Sequence, residues 1–247
     1  MQLIFGIGAL WGTSLTNPSA GPDQFAILQE NSIDFTFELK ELYSQLQFPV
    51  DIARGKGKIT GKAKMARVFG ALYADMFFGE NDTTGQTVVS EDGVVTLTTT
   101  TTTVTFATSF VADLGVYYNA TGRMRFNYVT GAPAAAGQYT TGVNGVYTFF
   151  SADIGQQVAI SYVFTAPGGN TITINNHFMG FTPAFQATFY QNQKTLNSTG
   201  QLTLRLNACV SSHLTFPSKL DDYGIPDFDY MAFSAGNNII GTLSTTE

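Results

Sequence analysis

The residue types that could do chemistry are few, and their densest group is a row of lysines at 56–64. The glycine–lysine spacing invites comparison with a phosphate-binding loop. A loop of that kind ending at Gly61-Lys62 needs glycine at Lys56 and serine or threonine at Ala63, so the spacing fails. The same residues alternate between polar and small or apolar types, which is the period of a half-buried strand. The lysines therefore predict one charged strand face, not a nucleotide site.

Catalytic and metal-binding residue types are sparse elsewhere. His177 and His213 have no ligand-type residues at metal-site spacing, and Pro226 breaks the spacing that a calcium loop would need among the acids at 221–229. Cys209, the only cysteine in the sequence, lies among apolar residues and is interpreted as a structural thiol. The sequence therefore predicts no catalytic residue, no metal site and no cofactor, and it predicts an acidic surface at 221–229.

The composition favours strands and turns over helices. Of 247 residues only 12% are charged, whereas glycine (25) and phenylalanine (21) are abundant. The formal net charge is −6, but residues 54–67 hold six basic side chains and no acids, which leaves −12 on the rest of the chain. A uniformly basic nucleic-acid binder is thereby excluded. The apolar stretch at 3–12 is too short to cross a bilayer and has no basic residue before it, so neither membrane insertion nor secretion is predicted.

Two amphipathic hairpins are the clearest predicted elements. Residues 33–40 and 56–65 alternate between polar and small or apolar types, as do residues 185–190 and 202–208, which a turn at 192–200 connects. One face of each strand is therefore apolar and the other polar. The polar faces consist of Asp34, Thr36, Glu38 and Lys40; Lys56, Lys58, Thr60, Lys62 and Lys64; Gln186, Thr188 and Tyr190; and Thr203, Arg205 and Asn207.

A helix is predicted at 65–78, directly after the lysine strand. Its apolar residues recur at spacings of three and four, which is the period of a helix packed on a core. Gly79 is suited to end it. The side chains that would pack on the core are Met65, Val68, Phe69, Leu72 and Met76.

The remaining segments complete a three-part organisation. Short strand candidates separated by turn residues predict an inserted, small β-sandwich-like domain at 91–154 on the outer surface. Residues 1–31, in which large apolar side chains are interleaved with glycines, are interpreted as an arm that buries its aromatic rings on this subunit or on a neighbour. The main β domain would comprise residues 32–90 and 155–247.

Together these pieces resemble the bacteriophage tail tube (major tail) protein family. The features that look alike are the strand at 33–42, the excursion at 43–55 with its Phe-Pro-Val motif, the strand at 57–64 and the helix that follows. The segment 216–237 is similar to the closing segment of many tail structural proteins. The resemblance implies a non-enzymatic subunit with a tail-tube-like β-barrel or sandwich of two hairpins and one packed helix.

The resemblance also implies partners and a location. Copies of the chain would form homohexameric rings stacked into a tube for genome ejection, in contact with other tail proteins. Double-stranded DNA would pass through the lumen without specific binding. The protein would be made in the host cytoplasm and reside in the virion tail, with no membrane partner.

Two sets of residues acquire roles from the resemblance. The polar strand faces named above would line the lumen, although rows of lysine would bind phosphate and slow the DNA. The lysines are therefore expected either to pair with Asp34, Glu38 and a neighbour's acids or to point towards a ring contact. The ring-to-ring contact would come from Tyr43, Gln45, Gln47, Phe48, Pro49, Asp51 and Arg54.

Two other classes of function fit parts of the sequence. A different virion structural protein, such as a capsid decoration or baseplate component, would use the inserted domain as its main functional part. A carbohydrate-binding β-sandwich is suggested by Tyr117, Tyr118 and Tyr139, which are expected to be exposed, because aromatic faces stack on sugars. A glycosidase has the least support, since acids are few.

Overall fold

The computed structural model describes residues 3–4, 6–17, 19–67, 69–120, 122–194, 199–236 and 238–246, and the chain is mainly β. In chain order the elements are β1 (Leu3–Ile4), β2 (Ala9–Ser14), β3 (Pro22–Gln24), β4 (Leu28–Tyr43), β5 (Pro49–Met65), α1 (Gly70–Tyr73) continuing as a π-helical segment (Ala74–Phe78), β6 (Asp82–Thr96), β7 (Thr101–Thr103), β8 (Phe110–Tyr118), β9 (Asn127–Tyr128), β10 (Gln138–Thr141), β11 (Val146–Phe149), β12 (Gln157–Ile172), β13 (Ala184–Lys194), β14 (Thr199–Thr215), β15 (Asp227–Ala232) and β16 (Gly241–Thr245). Short 3₁₀ turns lie at Ala107–Ser109 and Ser151–Asp153.

The chain divides into two compact units. The first comprises Met1–Asp82 and Ile172–Glu247, and the second comprises Thr83–Thr171. The second unit is wider on both sides than the insertion predicted at 91–154. The reason is that β6 and β12, which are neighbours in one sheet, carry the chain into and out of it.

The first unit is built on one antiparallel sheet of nine strands. Its order is β3-β2-β13-β14-β15-β5-β4, with β1 beside β13 and β16 beside β14. The two predicted hairpins are confirmed as the antiparallel pairs β4–β5 and β13–β14. Strand β14 pairs with β16 along its first half and with β15 along its second. Strand β15 also pairs with β5, so it joins the two hairpins into one sheet. Within the described residues no sheet closes into a barrel, and the predicted barrel is not present in the single chain.

One face of this sheet carries the apolar core. Phe185, Phe228 and Tyr230 are buried there, with ring centroids of 6.0 Å between Phe185 and Phe228 and 5.7 Å between Phe185 and Tyr230. Leu72 and Met76 of the helical segment belong to the same buried cluster. Burying each of these side chains contributes roughly 1.5–3 kcal/mol, so the helix is held by its apolar stripe, not by its own length.

The helix begins later than the sequence predicts. Met65 is the last residue of β5, paired with Leu28, and it is buried in the core from the sheet side. Val68 lies outside the described residues, and Phe69 precedes the helix and is exposed. Met65 fits a period of two as well as a period of 3.6. The ladder with β4 extends to it, and the backbone therefore stays extended up to that residue.

The end of the helix agrees with the prediction. Leu72 and Met76 pack on the core, and Gly79 follows the last helical residue with a φ of 67°. That left-handed conformation costs a glycine nothing and costs other residues about 1 kcal/mol, which explains the glycine at this position.

The segment predicted as an N-terminal arm is partly a strand. Strand β2 pairs with β13, and Leu10 is fully buried in the core of the same chain. Trp11 lies opposite Thr188 on the other face of the sheet. Residues 9–14 are therefore part of the sheet of this subunit, paired on both sides, and Leu10 is buried in its own core and not on a neighbour.

The second unit consists of two small sheets that share one core. Their orders are β6-β12-β8 and β7-β11-β10-β9. Tyr139, Tyr147 and Phe149 from the second sheet and Val158 and Ile160 from the first belong to one buried cluster. Alternating strands from two sheets around a common core form a β-sandwich arrangement.

Candidate functional site

The predicted polar residues of the first hairpin share one face of the sheet. In the β4–β5 ladder Asp34 lies opposite Thr60 and Thr36 opposite Lys58. Directly opposed residues in an antiparallel ladder point to the same side of the sheet, so these four side chains share one face. Lys62 and Lys64 lie on the same face, because alternate residues of one strand point the same way. The apolar partners between them, such as Ala63 and Met65, enter the core on the other side.

The second hairpin presents its polar residues on that same face. Thr188 lies opposite Arg205, and Tyr190 lies opposite Thr203. The buried leucines that alternate with them belong to the same core cluster as Ala63. Since one continuous sheet has one core side, the polar residues of both hairpins lie on its other side. The members of this polar sheet face are Asp34, Thr36, Lys58, Thr60, Lys62, Lys64, Gln186, Thr188, Tyr190, Thr203, Arg205 and Asn207.

Glu38, Lys40 and Lys56 lie around a β-bulge that the alternating sequence pattern does not predict. Phe37 is opposite Gly57, but Leu39 is opposite Arg54, so β5 has one residue more than β4 across this step. Gly55 and Lys56 therefore face Glu38, and Lys40 follows opposite Ala53. A bulge bends and twists the ribbon locally, which changes its direction just beyond the core.

Acids of the same chain pair with two of the lysines. Lys64 Nζ forms an ion pair with Glu30, and Lys62 Nζ lies 3.4 Å from Asp227 Oδ2. The hydrogen bond to Glu30, and then its charge, raise the pKa of Lys64. On the next strand His213 Nδ1 lies 3.4 Å from Asp229 Oδ2. These acids differ from the predicted partners Asp34 and Glu38, and the reason is register: Glu30 and Asp227 are the residues directly opposite Lys64.

The pairing leaves the charges of the polar sheet face unevenly distributed. Lys56 and Lys58, nearer the start of β5, form no ion pair with any described residue. Exposed pairs of this kind contribute only about 0–1 kcal/mol each, so they are poor candidates for holding the fold together. The two ion pairs neutralise Lys62 and Lys64, the half of the lysine row that lies over the core.

The β4–β5 hairpin extends far beyond the rest of the sheet. Strand β15 stops pairing with β5 at Ile59, whereas β4 and β5 pair onward to Tyr43 and Pro49. The ribbon is therefore two strands wide over this distal part. Its apolar face is half or more exposed, at 53% for Phe35, 50% for Phe37 and 61% for Leu39.

An uncovered apolar ribbon of this size requires a physical explanation. An isolated two-stranded hairpin is at best marginally stable in water, and large exposed apolar patches mark sites of association. The exposed apolar residues of the hairpin are Phe35, Phe37, Leu39, Leu42, Tyr43, Leu46, Phe48, Val50 and Ile52. No described residue of the first unit packs on them closely enough to bury them. We call this set the hairpin apolar surface.

The residues predicted for a ring-to-ring contact lie at the distal end of this hairpin. The excursion predicted at 43–55 as a loop is a loop only over residues 44–48, which include Gln45, Gln47 and the 79%-exposed Phe48. Tyr43 and residues 49–55 belong to strands β4 and β5, because Tyr43 pairs with Pro49 and the two strands stay paired from there towards the core.

Three of these residues have defined neighbours. Asp51 lies opposite Leu42, and the guanidinium of Arg54 lies 4.8 Å from the centre of the Phe37 ring. The Tyr43 hydroxyl donates a hydrogen bond to Glu41. The contact of Arg54 with Phe37 covers part of one ring and leaves the hairpin apolar surface open.

The other candidate sites gain little from the structure. Among the described residues no group of acids, histidines or cysteines is arranged to hold a metal ion. Asp227 and Asp229 pair with Lys62 and His213, as described above, and Asp222 pairs with Lys219. The predicted acidic surface at 221–229 is therefore partly neutralised within the chain. Burial raises the pKa of the Cys209 thiol to about 12, in keeping with a structural role.

The tyrosines that suggested carbohydrate binding are not freely exposed. Tyr139 is 1% exposed and belongs to the core of the second unit, while Tyr117 and Tyr118 are half-buried. Tyr128, which the sequence analysis passed over, is the half-exposed ring in that region. No helix in the described parts of the chain is long and apolar enough to cross a membrane.

A cluster of acids beside the helical segment supplies a test of the electrostatics. Burial first, and then the charges of Asp75 and Asp82, raise the pKa of Asp23. A raised pKa means that the folded state binds this proton more tightly, so ionised Asp23 destabilises the fold and the penalty fades as pH falls through its pKa. We expect Asp23→Asn to raise the free energy of unfolding at pH 7 by about 0.5 kcal/mol.

The check for this prediction is urea unfolding of both proteins between pH 4 and 8. The stabilisation should shrink as pH falls, since the wild-type carboxyl is then protonated as well. Asp221→Asn, on an exposed side chain, is the matched control and should leave the free energy of unfolding unchanged at every pH. A destabilised Asp23→Asn at pH 7 would contradict the assignment.

Comparison with known proteins adds no family to this geometry. No protein-family model matches the chain, and no curated protein sequence matches it significantly. The polar sheet face and the hairpin apolar surface are therefore the features of the molecule that bear on its function.

Proposed function

We propose that this chain is a structural subunit of a phage tail tube, which self-assembles into stacked hexameric rings around a channel for genome ejection. The observation that carries the proposal is the hairpin apolar surface. A single chain that extends a two-stranded ribbon with nine large apolar residues into solvent is incomplete, and further copies of the chain would complete it.

The sheet itself supports assembly between copies. Strand β4 is an edge strand along its whole length of 16 residues, and an exposed edge presents unpaired N–H and C=O groups to another chain. Pairing such edges around a ring would close the sheet across subunits and remove them. In that arrangement the polar sheet face would be the inner surface, and the core and helical segment would lie behind it.

The charge distribution is compatible with passage of DNA. Lys62 and Lys64 are neutralised by Asp227 and Glu30, so fewer free cations would remain to hold phosphates than the sequence indicates. Lys56 and Lys58 lie towards the distal hairpin, where acids of a neighbouring copy would meet them in a stacked ring. The net charge of −6 would keep the remaining surface from binding DNA tightly.

The experiment that tests the proposal is electron microscopy of the purified chain at increasing concentration. We expect rings or tubes with sixfold symmetry. In a second protein, residues 41–52 are replaced by Asn-Gly, which joins the opposed residues Lys40 and Ala53 by a two-residue turn. That protein should remain folded and monomeric, because nearly all the removed residues are exposed.

The outcomes separate the possibilities clearly. Unchanged tubes from the shortened protein would overturn the role of the distal hairpin. If the wild-type chain, which has the complete hairpin apolar surface, forms only single particles at all concentrations, the tube assignment itself would be overturned. Circular dichroism and thermal unfolding of both proteins serve as the control for folding.

A further inference from the structure

The Thr83–Thr171 unit contains an open groove of about 590 Å³ that the proposed function does not use. Its lining residues include Tyr128 and Tyr139 together with Asp113, Arg125 and Thr141. The volume falls within the roughly 300–1,000 Å³ of small-molecule sites. A ligand in this groove would therefore meet an aromatic side chain, a hydrogen-bond acceptor and a hydrogen-bond donor.

The carboxylate in the groove is held in a fixed position. Asp113 Oδ2 accepts a hydrogen bond of 2.6 Å from the Tyr139 hydroxyl, and Oδ1 accepts bonds of 2.9 Å from the Tyr147 hydroxyl and 3.0 Å from the Gly115 N–H. Burial first, and then Asp113, raise the pKa of Tyr139, which therefore stays a donor at neutral pH. Two oxygens offer about four acceptor positions, so one on Oδ2 is left for a ligand.

The guanidinium is the donor of the groove. Arg125 is exposed, and no described residue forms an ion pair or hydrogen bond with its side chain. Its backbone is fixed by a bridge to Tyr117 of β8, so the side chain starts from a defined point on the rim. Five N–H donors without partners are suited to bind a pair of neighbouring oxygen atoms.

The aromatic wall is also braced. Tyr128 packs edge-to-face on Tyr139, with ring centroids 5.6 Å apart and an interplanar angle of 71°. Tyr139 is buried, whereas Tyr128 is 51% exposed. The ring of Tyr128 is therefore held in place on one side while about half of the residue stays exposed.

We propose that this groove binds a neutral saccharide. The C–H face of a pyranose ring would pack on Tyr128, while adjacent hydroxyls would accept from Arg125 and donate to Asp113. A sugar hydroxyl is both donor and acceptor, which matches a site holding one fixed acceptor and one free donor. A phosphate or carboxylate ligand would match Arg125 but would be repelled by Asp113 beside it.

The test uses the full chain and ligand-observed NMR with methyl glycosides of glucose, galactose, mannose and N-acetylglucosamine, followed by titration of the best binder. We expect at least one glycoside to bind. Tyr128→Ala and Arg125→Ala should each weaken it about tenfold or more, since each removes a principal contact. Tyr128→Phe keeps the ring and should bind within about threefold of wild type.

Several outcomes would overturn the proposal. They are the absence of binding to all four glycosides, equal binding by Tyr128→Ala, and competition by inorganic phosphate or glucuronate that is stronger than by neutral sugars. Tyr223→Ala, an exposed tyrosine of the other unit, is the matched control and should bind as wild type. Assembly is scored separately, so failure of the tube proposal and failure of the groove proposal give different results.

Discussion

Replacing the apolar face of the distal hairpin by serine should abolish assembly and leave the fold intact. The variant is Phe37→Ser combined with Leu39→Ser and Ile52→Ser, three residues that are each half or more exposed in the single chain. Burial of a large apolar side chain contributes roughly 1.5–3 kcal/mol, and these three are already half covered, so the substitutions together remove about 3 kcal/mol from each contact between copies. Self-association should then require more than a hundredfold higher concentration.

Sedimentation velocity over a concentration series measures this directly. The matched control carries three substitutions on the opposite face of the same ribbon, Asp34→Ser, Thr36→Ser and Lys40→Ser. If that face lines the channel, the control should assemble as wild type. Both variants should unfold within a few degrees of wild type, since exposed substitutions rarely change stability by more than about 0.5 kcal/mol. Equal loss of assembly in the two variants would contradict an apolar contact.

The amphipathic strands were the part of the fold that the sequence predicted well. A period of two over eight residues, as in 33–40, has few alternative explanations, and both hairpins are present. The period also assigned the polar residues to one side of each strand. It could not show that β15 joins both hairpins into one sheet, because that depends on pairing between distant segments such as β15 and β5.

The errors arose where local periods overlapped or where a partner strand decided the outcome. Met65 fits both the strand before it and the helix after it, and only its pairing with Leu28 selects the strand. Asp227 and Asp229 alternate with Phe228 and Tyr230, so β15 was signalled by a period of two that was interpreted as an acidic surface. The bulge at Gly55 and Lys56 is set by the register of β4 against β5. In the sequence only the neighbouring glycines could have indicated it.

The candidate site was predictable in location but not in geometry. Residues 43–55 were singled out, yet the extent of the hairpin apolar surface depends on where β15 ends, at Ala232 opposite Ile59. Ion pairing of the lysines depends on register as well, which is why Glu30 was missed. The groove at Tyr128 was missed because residue type alone does not show which tyrosine is buried and which is exposed. The structure buries Tyr139 and exposes Tyr128.

Two glycines in β5 separate the stability of the core from the contact of the hairpin. Gly61 and Gly57 each lie under an aromatic ring on the apolar side of the strand, Gly61 under Tyr230 and Gly57 under Phe37. A Cβ at Gly61 would overlap the Tyr230 ring, which is 1% exposed and has nowhere to move. A Cβ at Gly57 would lie 2.7 Å from Phe37, which is 50% exposed and can turn away.

Gly61→Ala should therefore destabilise the isolated chain by about 1–3 kcal/mol, the usual cost of overpacking a core, whereas Gly57→Ala should change it by less than about 0.5 kcal/mol. Urea unfolding at a concentration below the onset of assembly measures both. The effect on association should be different. If Phe37 is packed against a neighbouring copy, its ring can no longer turn away from a Cβ at residue 57. Gly57→Ala should then weaken association while leaving the stability of the monomer unaffected. A Gly57→Ala protein that matches wild type in both measurements would mean that the ring of Phe37 stays free to move in the assembly, and a contact through this face of the hairpin would then be wrong.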